Sequence, residues 1–82
     1  MNLNKLKPVV VTVTDDALGD IYHLSEQLIE HGMQVERVLP ITGVILGASE
    51  VAEMPNLRKM HGVESVEEEL TATIPPFGTD LQ

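Results

Sequence analysis

The stretch MQVERVLPITGVILGAS, residues 33–49, decides how this chain folds. Two runs rich in β-branched and aliphatic residues, Gln34 to Leu39 and Val44 to Ala48, flank Pro40-Ile41-Thr42-Gly43. Proline presets a turn dihedral and glycine supplies a backbone conformation that other residues resist, so the stretch reads as two antiparallel strands around a turn. The flanking segments then determine what covers that pair.

Upstream, KPVVVTVTDD (7–16) is a strand, with Pro8 at its start and an Asp pair at its exit. Val9, Val11 and Val13 share one face, and Val10, Thr12 and Thr14 share the other. Asp15 or Asp16 is expected to cap a helix, where a carboxylate suits the dipole. Leu18, Ile21, Leu24 and Leu28 recur at spacings of three and four, with Ile29 widening the stripe, and Gly32 stops the helix.

Downstream, SEVAEMPNLRKMHG (49–62) holds a shorter helix. Pro55 is tolerated only in the first turn, so the regular helix is expected to start there and to end at Met60 or His61 before Gly62. Met54, Leu57 and Met60 would face the core. Val63 and Val66 open a last strand. The order is strand, helix, strand, strand, helix, strand. It predicts an α+β, ferredoxin-like βαββαβ sandwich: a four-stranded antiparallel sheet with two helices on one face and the other face open. A single domain is expected over residues 1–82, with a lead-in at 1–7, the ferredoxin-like core at 8–74 and a flexible C-terminal tail at 75–82.

Composition narrows the function. The chain has no Cys, which excludes disulfides and thiolate metal sites. Aliphatic packing must hold it together, since 43% of residues are hydrophobic but only Tyr22 and Phe77 are aromatic. A formal net charge of -8 argues against nucleic acid and anionic membranes as partners. The apolar run after Lys7 is too short for a signal segment, so a cytoplasmic location is expected. His23, His31 and His61 lack metal-ligand spacing, and no cofactor fingerprint is present. A non-enzymatic role is expected. A Schiff-base aldolase needs a desolvated lysine, whereas Lys5, Lys7 and Lys59 read as terminal or exposed. Acylphosphatase-type chemistry would want an arginine after the first strand, where Thr14-Asp15-Asp16-Ala17 stands instead.

The segments VVVTVTDDA, LSEQLIEHGMQVERVLP, GVILGAS and NLRKMHGVESVEEE together resemble the subtilisin-propeptide and proteinase-inhibitor family over residues 8–74. The most specific piece is Gly62-Val63-x-x-Val66-Glu67-Glu68-Glu69. The resemblance implies a freestanding inhibitor or chaperone of a subtilisin-like serine protease, without cofactor. The open sheet face, with Val10, Thr12 and Thr14, would dock on two surface helices of the protease. Glu67 and Glu69 would point at the N-termini of those helices, where unpaired N–H groups attract anions. Leu70, Thr71, Ala72, Thr73 and Ile74 would lie in the cleft like a substrate strand, with Ile74 nearest the scissile point. Pro75-Pro76 follows, and proline beyond a scissile residue makes a poor substrate bond, which suits an inhibitor that is not cleaved.

The residues leave alternatives open. An acidic run also serves as a solvated strand end, and Leu70 to Ile74 also suits strand continuation or pairing with a second copy. The same βαββαβ order hosts ACT-like ligand-binding or homodimerisation modules. Asp15, Asp16, Gly19 and Asp20 would then form the ligand loop.

Overall fold

A computed structural model describes residues 6–69. Its order is β1 (Leu6–Val13), α1 (Ile21–Glu30), β2 (Gln34–Leu39), β3 (Val44–Glu50), α2 (Met54–Arg58) and β4 (Val63–Glu68). Short 3-10 helices, Asp15–Asp20 and Val51–Glu53, lead into α1 and α2. The strands form one antiparallel sheet in the order β2-β3-β1-β4, the ferredoxin-like arrangement expected from the sequence. The segment Leu70 to Ile74 and the 75–82 tail lie outside the described residues.

Both helices pack on one side of the sheet. Val9, Val11 and Val13 of β1 are buried there in a single cluster with Ile21, Leu24 and Leu28 of α1, Met54 and Leu57 of α2, and Ile45 of β3. Burying one such aliphatic side chain contributes about 1.5–3 kcal/mol, so this layer is the main source of stability in a chain without crosslinks. Helix α1 ends as the sequence predicts. Gly32 takes a left-handed φ of 97°, its N–H donates to Ile29, and Met33 N–H reaches back to Leu28 at 3.1 Å. Those two bonds satisfy carbonyls that the helix end would otherwise leave free.

Three local expectations are corrected. Asp15 and Asp16 do not cap an α-helix. Thr14 precedes a 3-10 helix that has no side-chain cap, and α1 starts only at Ile21. The tighter lead-in lets Leu18 pack against Gly43 in the β2–β3 turn rather than join the α1 stripe. Ile29 does not widen the buried stripe; it is 52% exposed, and Ser25 takes the inward position, donating its hydroxyl to the Tyr22 carbonyl at 2.6 Å. Helix α2 begins one residue before Pro55 and closes at Arg58. Met60 lies past its end and is half-buried against the core.

Two bulges set which side chains face which way. In β4, Ser65 pairs with Thr12 and Val63 with Val13, so Glu64 is the extra residue. This is why Val63 and Val66, three apart, both reach the core. In β2, Val35 pairs with Gly47 and Arg37 with Leu46, leaving Glu36 as the extra residue. A regular strand would alternate Gln34, Glu36 and Val38 on one face. The bulge instead puts Arg37 and Leu39 on the face of Gln34, and turns Val38 inward beside Val35.

Candidate functional site: the open sheet face

Among the described residues, neither helix covers the second face of the sheet. Directly paired residues share a face, so the register reads it row by row. The middle row is Arg37, Leu46, Val10 and Glu67, from β2 across β3 and β1 to β4. On one side lies the row Leu39, Val44, Thr12, Ser65. On the other, Gln34 and Ala48 lead to Pro8, whose carbonyl accepts the Glu69 N–H at 2.8 Å. The centre is aliphatic and half-buried, while Arg37 and Glu67 at the two edges are exposed. Glu36, Arg37 and Leu46 line a shallow depression at the β2 edge.

Of the five described residues that the resemblance assigns to partner binding, the face brings together four. Val10 and Thr12 sit at its centre, Glu67 lies at its β4 edge, and Glu69 follows β4 with its N–H on the Pro8 carbonyl. Thr14 does not belong to it. That residue lies past β1, with its N–H on the Gly62 carbonyl, at the start of the 3-10 helix. Simple alternation hides the β2 bulge and with it Arg37 and Leu39, whereas Leu46 follows from unbroken alternation with Val44 and Ala48 in β3. The signal that could have revealed the bulge is Gly47, opposite it. A Cβ there would strike the Gln34 carbonyl oxygen, so only glycine lets β2 approach this closely.

The outer edge of the sheet is partly closed on the β4 side. Arg58, leaving α2, donates Nε and Nη2 to the Val66 carbonyl at 3.1 and 3.0 Å. A charged side chain there occupies a backbone acceptor that another strand would otherwise use.

The loop named as an alternative site is built differently. Asp15, Asp16, Gly19 and Asp20 are all exposed along the 3-10 helix. Asp16 and Asp20 join Ala17, His23, Leu24, Gln27 and His61 around a cleft of about 230 Å3. The Asp16 carboxyl is held below its usual 3.8, first by the neighbouring Thr14 hydroxyl and then by its own backbone N–H, with His61 contributing less. Among the described residues, the Thr14 hydroxyl has no hydrogen-bond partner, so Thr14 and Asp16 do not form a cap. Among the described residues, no three His, Asp or Glu side chains converge as metal ligands would.

No family model, curated protein or solved structure matches the chain. No described helix is long and apolar enough to cross a membrane.

Proposed function

We propose that this protein is a non-enzymatic protein-binding module that acts in the cytoplasm through its open sheet face, as an inhibitor or chaperone of a subtilisin-like serine protease. The observation that carries the reading is the shared face of Val10, Thr12 and Glu67, with Glu69 held to Pro8 just past β4. An aliphatic centre excludes water on docking. Carboxylates at the rim then meet the N–H groups of partner helix ends. The segment 70–74, next in sequence after Glu69, would follow the protease cleft as an added strand.

The magnitudes divide the work between these parts. A carboxylate at a helix N-terminus contributes about 0.3–1 kcal/mol when exposed and up to about 2 when partly buried. Glu67→Ala should therefore weaken inhibition by roughly thirtyfold or less. Deleting residues 70–82 removes the cleft-filling strand and should abolish inhibition while leaving the fold intact. The test is a titration of a subtilisin-like protease with the intact chain, with the products followed by mass spectrometry. Stoichiometric inhibition with the Ile74–Pro75 bond uncut supports the proposal. Absence of inhibition, with the chain digested or ignored, overturns it, as does full inhibition by the truncated chain.

A further inference from the structure

We propose that the open face is complementary to itself, and that two copies of the chain pair through it about a two-fold axis parallel to the strands. The inference stands on the register and does not depend on the protease reading. Such an axis, between β1 and β3, lays β1 of one copy over β3 of the other. Every position in a row then meets the position counted from the opposite end of that row.

The rows fit this operation. In the middle row, Arg37 meets the partner's Glu67, and Leu46 meets the partner's Val10. In the row through Pro8, Gln34 meets the partner's Glu69 and can donate its amide N–H to that carboxylate. In the third row, Val44 lies over the partner's Thr12. The alternative axis, at right angles to the strands, would set Arg37 against its own copy and Glu67 against its own copy. Like charges facing each other across a dry interface disfavour that arrangement. The sign pattern therefore selects one of the two ways a sheet face can meet itself, and face-to-face sheets pack with their strands nearly aligned.

Area and charge set how tight the pair is. Four strands about 4.8 Å apart, each about six residues long, present roughly 400 Å2 per copy and roughly 800 Å2 in all. That lies below the 1,200–2,000 Å2 or so of a stable interface. A net charge of -8 on each chain opposes association further, as does Glu36 beside Arg37. The dimer is accordingly reversible, in the micromolar range or weaker, and dilution or a competing partner frees the face. Any protease that docks there competes with the second copy.

Arg37 and Glu67 lie three strand spacings apart in one chain, about 14 Å, too far to pair with each other. A charge swap is therefore diagnostic. Sedimentation velocity on the full chain over a wide concentration range should show a monomer–dimer equilibrium. Arg37→Glu and Glu67→Arg should each weaken it about tenfold or more, and the double variant should restore it. Both residues are exposed, and circular dichroism of each variant checks that the fold is kept. A chain that stays monomeric at every concentration overturns the proposal. A dimer unaffected by the single changes, or a double variant no better than the singles, overturns it equally. A chain deleted for 70–82 distinguishes the remaining occupant. If dimers form only after that deletion, the C-terminal segment holds the face and the proposal fails.

Discussion

Gly47→Ala tests the architecture of the face at its least forgiving point. Gly47 pairs with Val9 on one side and Val35 on the other, and its backbone is ordinary extended strand, not a left-handed turn. The substitution is therefore strained by space alone. The added methyl would run into the Gln34 carbonyl oxygen, with the Met33 Cε at 3.0 Å. The methionine end can rotate aside, but the carbonyl is main chain and moves only if the start of β2 moves. Overpacking of this kind costs about 1–3 kcal/mol. Displacing the Gln34–Ala48 and Val35–Gly47 pairs loses ladder hydrogen bonds at about 1 kcal/mol each. A total of about 3–5 kcal/mol is a large share of the roughly 4–12 kcal/mol expected for 82 residues, and it should lower Tm by about 12–40 °C. Gly19→Ala is the control, because a Cβ there meets nothing within 4 Å and its φ is not left-handed. It should be neutral or slightly stabilising. Urea and thermal melts followed by circular dichroism read both variants. If Gly47→Ala unfolds within about 0.5 kcal/mol of the native chain, the close approach of β2 to β3 is wrong.

Two further perturbations probe the core and the loop. Leu28→Ala removes a fully buried side chain from beneath the sheet and should destabilise by about 2–5 kcal/mol, measured by urea unfolding, while Ile29→Ala on the exposed side should change little. Asp16, whose pKa is depressed in the folded chain, favours folding when ionised. Its contribution is complete above the unfolded value of 3.8 and fades as pH falls through the lower folded value. The urea midpoint of the native chain should therefore exceed that of Asp16→Asn near neutral pH and approach it below pH 3.8, whereas a gap independent of pH would contradict that assignment.

The elements were legible in the sequence because their signals are local. The residues of β2 follow from the pattern before Pro40, the end of α1 from Gly32, and the position of α2 from the constraint on Pro55. What escaped depends on partners distant in sequence. Leu18 leaves the α1 stripe because Gly43, in the β2–β3 turn, has no side chain to block it. Ile29 faces outward because the sheet offers α1 only the narrower contact through Ile21, Leu24, Ser25 and Leu28. The face itself was half legible. Val10, Thr12 and Glu67 follow from alternation in β1 and β4, but Arg37 joins them only through the Glu36 bulge. A bulge breaks the period that alternation relies on, and its cause is the space left at Gly47 on the neighbouring strand.

The proposed inhibitor role requires that a protease meet the sheet face and not the loop before α1. Chemical-shift mapping of the labelled chain, dilute enough to be monomeric and titrated with a catalytically inactive subtilisin-like protease, tests this most directly. Docking on the sheet face should perturb Val10, Thr12, Leu46 and Glu67 and leave Asp16, Asp20 and His23 unchanged. Perturbations confined to Asp16, Asp20, His23 and His61, or none at saturating protease, would contradict it.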